Sequence, residues 1–390
     1  MAIGATMVGS WYRTHDILRL LADSPTGEID SKHLEQVETA ERQAIRDQLH
    51  PLGGGHGLNW VSNGEQRKAG YTAYLPNRFS GFSKSDRVPM PFTEELVNDL
   101  KESNPAVLTS LGGDAGRAFL LPKLVDRVKY VGSSLARAEA ESAAKLAKEE
   151  GAPRIFVSSA SPGVATIFFP RGDVYPNHAS YLADLMSEMR KEYQSILSVA
   201  GVDLQIDAPD LAMGYHLASD WGVDFFDALP QHVDAINQAI AGLPRERIRL
   251  HYCYGNYLAS HRSDVDFAKI LPELMRLNVG LIVGETANPR HEGDVQVFKR
   301  YIMEHGWPKE LKLAAGVIDV KTPFVESART VMTRLEQYID AGIPPENLYA
   351  GTDCGFATFA AVNNVTYQVA LQKLKVEAEA AALLSTSLGL

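Results

Sequence analysis

Arg247-Ile248-Arg249-Leu250-His251-Tyr252-Cys253-Tyr254-Gly255-Asn256 begins as a strand and ends in a turn. Its first four residues alternate polar and apolar, and side chains at i and i+2 of a strand point the same way. His251 and Cys253 are therefore two ligand-capable groups aimed at one point. The other cysteine, Cys354, lies in Ala350-Gly351-Thr352-Asp353-Cys354-Gly355, just past the strand-like run Asn347-Leu348-Tyr349. Between them, Leu281-Ile282-Val283-Gly284-Glu285-Thr286 reads as a strand whose end presents a carboxylate. Free cysteines ordinarily pack as small buried hydrophobes. Here both cysteines, the histidine and Glu285 all fall where strands end, and one His, two Cys and one Glu suit a four-coordinate Zn2+.

Outward from this stretch the same unit repeats. Strand-like runs are read at Ala5–Ser10, Leu58–Glu65, Ala106–Ser110, Arg154–Ser159, Val202–Asp207 and Leu313–Val320. Helical stretches are read near 15–23, 31–49 (capped by Ser31), 134–150, 177–200, 222–242, 264–276, 294–305, 325–341 and 361–385. Alternating strands and helices indicate a parallel sheet with crossover helices, and about eight such units predict a closed α/β barrel, the (β/α)8 TIM barrel, as one domain over 1–390. Ser10, Glu65, Asp207, His251, Cys253, Glu285, Lys321 and Cys354 all stand at or just past strand C-termini. A barrel brings those ends to one face, where such folds keep their active sites. Residues 70–100, with Tyr71, Tyr74, Phe79, Phe82 and Phe92 among prolines and glycines, have no helical period. They are read as an inserted hairpin or long loop folded over the mouth. His291-Glu292 is read as part of a solvated loop.

Composition narrows the partners. The 390 residues are 45% hydrophobic and carry a net charge of −10, and no basic patch suggests nucleic acid. There is no signal-peptide pattern and no apolar run of about 18 residues, so a cytoplasmic protein off the membrane is expected. Two cysteines do not make a disulfide framework. No phosphate loop, dinucleotide fingerprint, nucleophile elbow or His-Glu-x-x-His helix is present.

In order along the chain, His251-x-Cys253, Glu285 and Asp353-Cys354-Gly355 resemble the zinc ligands of cobalamin-independent methionine synthase. Val8-Gly9-Ser10 resembles that family's Gly-Ser turn, Asn63-Gly64-Glu65 its Gly-Glu motif, and Ile206-Asp207-Ala208-Pro209 its Asp-Glu-Pro motif. The resemblance implies a Zn2+ cofactor and a homocysteine S-methyltransferase. Ser10 would contact the substrate carboxylate, and Glu65 and Asp207 its ammonium group. The departures are specific. The length allows only the family's catalytic barrel. Ala208 replaces a Glu, Lys321 stands where the family has a His, and Ser161–Phe169 lacks the Trp of the folate-facing segment. The thiol half of the site is kept and the donor half is altered, so the methyl or alkyl donor is left open among folate, corrinoid or another carrier.

A free thiol, with pKa near 8.5, is a poor nucleophile until coordination to Zn2+ deprotonates it. Transfer from an amine-like donor then needs a general acid, for which Lys321 and Asp319 are the candidates by position. Trp11, Tyr71 and Tyr257 are candidate pocket walls. Two alternatives accompany this reading. One is zinc-dependent alkyl transfer to another thiol, as in the related epoxyalkane–coenzyme M transferase, with Arg13, Arg67 and Lys68 as cations for a sulfonate. The other is a metal-free ligand-binding barrel. A homo-oligomer is compatible with all three.

Overall fold

The computed structural model describes residues 2–24, 27–89, 93–106, 120–217, 221–360 and 363–390. Eight parallel strands run around it: β1 (Gly4–Thr6), β2 (Val61–Ser62), β5 (Ile155–Ala160), β6 (Val202–Asp207), β7 (Ile248–Tyr252), β8 (Leu281–Gly284), β9 (Lys312–Ile318) and β10 (Leu348–Thr352). They pair in the order β1-β10-β9-β8-β7-β6-β5-β2. A parallel bridge from Thr6 to Trp60 brings the two ends together, which makes the sheet the expected (β/α)8 barrel. β5, β6, β7 and β8 are buried at every residue, as strands covered on both faces must be.

The crossover helices start on side-chain caps. Ser161, Asn177, Asp224, Asp266, Ser327 and Thr366 each accept a backbone N–H of the first turn. Each such cap is worth about 1 kcal/mol. Inside the barrel, Val8, Trp60, Phe156, Leu281, Val283 and Ala314 form one cluster. Arg249, on β7, is buried with them. Its guanidinium lies 3.8 Å from the centre of the Phe156 ring and donates to Thr6 Oγ1 (2.8 Å) and Met7 O (2.9 Å).

The inserted region differs from expectation. β3 (Phe79–Pro89) and β4 (Leu120–Tyr130) form an antiparallel pair, so the hairpin extends well past residue 100. It lies along the barrel's flank on the helix His178–Leu197, where Tyr130 N donates to Glu188 Oε2 (2.7 Å). The part that reaches the mouth is the helix Glu94–Ser103. Its Asp99 accepts from Ser260 Oγ, and Asn104 just after it donates to Leu258 O (2.9 Å). Of the strand expected at 106–110, all but Ala106 lies outside the described residues, and Ala106 is helical. Ser31 begins a short 3-10 turn, and the helix proper is Leu34–Leu49.

The last helix, Tyr367–Ser387, closes the barrel against β1 and buries Glu377 completely beside the Thr6 backbone, with no side-chain partner for its carboxylate among the described residues. Burial pushes this carboxyl well above its ordinary range. A carboxyl raised in the folded state binds its proton more tightly there than in the unfolded chain. Its contribution is therefore full below the unfolded pKa and is lost as pH rises through the raised folded value. Glu377→Gln should consequently stabilise the protein by roughly 1–3 kcal/mol at pH 8 and by little at pH 5, as read from urea melts at the two pH values.

Candidate functional site

Three ligand-capable side chains meet at the C-terminal ends of β7 and β10. The ligand atoms of His251, Cys253 and Cys354 all lie within 4.8 Å of one another, and all three residues are buried. His251 is the penultimate residue of β7, paired with Asp207 on β6 and Val283 on β8. Its Nδ1–H donates to Val283 O (3.3 Å), which leaves Nε2 without a hydrogen-bond partner on the side of the thiols. Metal-binding histidines are held in this way, with the non-ligating nitrogen bonded to a carbonyl or carboxylate. Cys253 and Cys354 form no disulfide. A hydrogen bond from Cys253, and then the charge of the nearby His251, hold the Cys354 thiol well below its ordinary pKa against burial, and the Cys253–Cys354 bond pushes Cys253 well above. Burial works against a charged His251, and Cys354 outweighs it. An orphaned imidazole nitrogen facing two thiols, one of them inclined to ionise, fits a thiophilic divalent cation such as Zn2+.

The backbone around this centre is pinned at several points. Asp353 accepts from three consecutive amides, Thr286 N (2.8 Å), Ala287 N (2.7 Å) and Asn288 N (2.8 Å), which ties the loop after β8 to the residue before Cys354. A side chain at Gly316 would run into that carboxylate. Asn256 Nδ2 donates to Gly355 O (2.8 Å) and to Thr358 Oγ1 (2.7 Å), tying the β7 loop to the β10 loop.

Glu285, expected as a fourth ligand, is not part of the cluster. Its Oε1 accepts from Lys321 Nζ and from Asn288 Nδ2 (3.3 Å), and its Oε2 accepts from Tyr254 N (2.9 Å). Burial favours the neutral acid, but Lys321 and then His261 and His291 outweigh it and keep the carboxyl below its usual range. Lys321 for its part is raised above an ordinary lysine: burial opposes its charge, and Glu285 outweighs burial. The neighbouring candidate acid, Asp319, accepts from Lys321 N (2.8 Å) and Thr322 Oγ1 (2.6 Å).

The residues expected to hold a substrate are gathered beside the thiols. Ser10 is buried where a side chain at Gly355 would begin. Glu65 stands with φ +55° after Gly64, over Gly9, where any side chain would meet Glu65 Oε1. Ser158 Oγ donates to Glu65 Oε1 (2.9 Å), whereas Oε2 is buried with no partner. Asp207 accepts from Gln205 Nε2 (2.7 Å). Burial, then the charge of Glu65, pushes Asp207 up to about 7. The expected cations are largely spoken for. Arg67 Nε pairs with Glu41 (2.9 Å), Lys68 Nζ lies 2.7 Å from Ser158 O and 3.2 Å from Glu139, and Arg13 donates to Ala357 O (2.7 Å) and Glu65 O (3.2 Å). Over the mouth, Tyr71, Phe168 and Phe359 form an aromatic group, with Tyr71 and Phe168 edge-on at 5.5 Å between centroids and Phe359 tilted against both. Trp11 is buried against Phe356, and Tyr257 stacks on His261.

Sequence reading missed one feature outright. His291 is buried, not solvated. With His216 and His261 it converges on Asp264, at 2.9 Å from His216 Nε2, 2.9 Å from His261 Nδ1 and 2.8 Å from His291 Nε2. The signal was present as a repeated His-x-x-Asp, His261-Arg262-Ser263-Asp264 and His291-Glu292-Gly293-Asp294.

Comparison with other proteins adds three findings. Residues 163–382, over half of the chain, match the family model described as cobalamin-independent synthase, catalytic domain. A 2-hydroxypropyl-CoM lyase from Xanthobacter autotrophicus is 24% identical over 148 residues, 32% of this chain, and the chain spans only 38% of that relative's length. The fold is similar to that of a B12-independent methionine synthase from Shewanella sp. W3-18-1, solved in complex with selenomethionine, with a TM-score of 0.72 at 20% identity over 100% of this chain and 99% of the other. At that identity the likeness concerns the fold.

Proposed function

The chain belongs to the cobalamin-independent synthase catalytic-domain family, a methyltransferase family, and from that membership we propose that it is a zinc-dependent thiol alkyltransferase whose acceptor is an amino-acid thiol of the homocysteine kind. The reading takes residues 1–390 as one catalytic barrel. The observation that carries the choice of acceptor is the pair of buried carboxylates beside the thiols: Glu65, with Oε2 unpartnered, and Asp207. Two buried carboxyls, both raised by burial, suit an ammonium group, whose charge would favour their ionised forms through charge-assisted hydrogen bonds. Selenomethionine bound in the Shewanella protein accords with a methionine-like product.

His251, Cys253 and Cys354 would hold the metal. When bound, Zn2+ supplies the charge that keeps a substrate thiol deprotonated near neutral pH. Glu65 and Asp207 orient the amino acid, so that its side chain runs toward the thiol cluster. The Tyr71, Phe168 and Phe359 rings exclude water from the face on which the alkyl donor must approach. Lys321 is the countercharge of Glu285.

A second acceptor, a sulfonate thiol such as coenzyme M, is favoured by Arg13, whose buried Nε has no partner, and by the Xanthobacter relative. Metal analysis and thiol binding decide the matter together. About one zinc per chain is expected in the wild type, and homocysteine should bind with release of its thiol proton while coenzyme M does not. Zinc with the reverse preference would transfer the reading to the sulfonate thiol. Absence of zinc after metal-replete expression would end the alkyltransferase reading.

A further inference from the structure

β6 ends at Asp207, and little backbone bonding holds the segment beyond it. Asp207 O accepts from Ser161 N (2.9 Å), and Ala208 N donates to His251 O (2.8 Å). Pro209 then brings no N–H, and the chain bends through one 3-10 turn, Pro209–Leu211. A side chain fastens that turn. Asp210 is fully buried, and its two oxygens have different partners: Oδ1 accepts from Ser161 Oγ, and Oδ2 from His232 Nδ1 (2.8 Å). Ser161 thus grips the segment twice, by its amide at Asp207 and by its hydroxyl at Asp210. The hydroxyl is itself oriented, because it accepts from Val164 N (2.9 Å) and gives its own proton to the carboxylate.

His232 lies on the helix Phe225–Ile240. Its Nε2 is 2.9 Å from Nε2 of His178, at the start of the helix His178–Leu197. Both rings are buried, and Trp221 packs on them at 4.5 Å from His232 and 5.0 Å from His178 between centroids. A carboxylate only accepts, so His232 donates from Nδ1 whichever ring holds the proton between the two Nε2 atoms. Gly163 leaves this chain its space, since a Cβ there would run into Asp210 Oδ2 and His232 Nδ1. Ser161, Asp210, His232 and His178 therefore tie the ends of β5 and β6 to two outer helices.

We infer that Asp210 is a positioning residue for the acceptor site: held by His232 and Ser161, it fixes the backbone that carries Asp207 and so the carboxylate offered to the substrate ammonium group. The inference rests on the acceptor reading above. Asp207 needs such support. Its carboxylate has one side-chain partner among the described residues, Gln205 Nε2 (2.7 Å). When both are ionised, Glu65 and Asp207 repel each other until an ammonium group joins them. Asp210 acts through Asp207 and not by contact with substrate or metal.

The test is a double-mutant cycle on the full zinc-loaded chain, with Asp207→Asn, Asp210→Ala and the two together. The readout is the affinity for homocysteine relative to 3-mercaptopropionate, a thiol acid without an ammonium group, with zinc content and urea midpoint measured beside it. Asp210→Ala should lower that ratio by roughly 10–100-fold, the range for groups that only orient a binding residue, at unchanged zinc content. Once Asp207→Asn is in place, it should lower the ratio no further. Asp210→Asn keeps both contacts when His232 turns a bare Nδ1 to the new amide, and it should restore a ratio near that of the wild type. Ser161→Ala removes a single hydroxyl and should shift the ratio in the same direction as Asp210→Ala. It carries the cycle where Asp210→Ala does not fold. A purely structural role would lower the urea midpoint and leave the ratio alone. That result, or a loss that adds in full to the loss from Asp207→Asn, would overturn the inference and leave the acceptor reading intact. A wild type with no preference for homocysteine would remove both.

Discussion

Glu65→Gln should lower the affinity for an amino-acid thiol by about two to three orders of magnitude and leave metal content unchanged. Truncating one partner of a buried, hydrogen-bonded charge pair costs roughly 2–5 kcal/mol, and each 1.4 kcal/mol is about a factor of ten in affinity. Glu65 is suited to such a pair. It is buried, its Oε1 is fixed by Ser158, and its Oε2 has no partner among the described residues. Gln keeps the shape and the Ser158 contact but removes the charge. Asp207 then faces the ammonium alone. Because Glu65 is no part of the thiol cluster, zinc analysis of the same variant serves as the control. The measurement is calorimetric titration of homocysteine into zinc-loaded protein, with 3-mercaptopropionate, which has no ammonium, beside it. Homocysteine should lose its advantage over 3-mercaptopropionate in the variant. An unchanged ratio would show that Glu65 is a structural acid and that the ammonium binds elsewhere.

The barrel was legible because its strands carry two independent signals. β5 and β8 are short, largely apolar runs of the kind buried on both faces, and each is followed within a few residues by polar groups that a closed barrel collects at one rim. The thiol cluster followed from the period of two that places His251 and Cys253 together, and Cys354 was the one cysteine left to join them. The hairpin was harder to read. Its strands are separated by thirty residues that contain a helix, and Lys84-Ser85-Asp86-Arg87 in β3 is exposed and polar, so no burial pattern marks the strand. The destination of Glu285 was not legible at all. A carboxylate at a strand end satisfies a metal motif whether it points to a thiol or to a lysine, and its lysine, Lys321, is 36 positions away on another strand's loop. The Asp264 cluster draws one histidine from each of three successive loops. Only the repeated His-x-x-Asp hinted that these histidines were buried together.

The same limitation hid the charged network beneath Glu65, where the largest stability effect is expected. Arg78→Met should destabilise the protein by about 3–5 kcal/mol, the range for removing one partner of a buried ion cluster. Arg78 is fully buried and contacts three carboxylates: Glu28 through Nε (3.1 Å), Glu192 through Nη1 (3.1 Å), and Glu139 through Nη2. Its guanidinium also lies 4.8 Å from the centre of the Tyr74 ring. Without it, the buried cations near Glu139 are Lys68, which already serves Ser158 O and lies over the same Tyr74 ring, and Arg67, which is paired with Glu41. Three carboxylates would then share too little positive charge in a site closed to water, and desolvation would no longer be offset. Met fills the space of the stem, so the loss measures charge more than volume. The variant links stability to function, because Asn63 Nδ2 donates to Glu139 (3.1 Å) while Asn63 Oδ1 accepts from Glu65 N (3.1 Å). Loss of Arg78 should therefore loosen the turn that carries Glu65 as well as lower the urea midpoint. Urea melts check the first effect and homocysteine titration the second. A midpoint unchanged by Arg78→Met would mean that the three acids take up protons at no cost, and that the cluster holds nothing together.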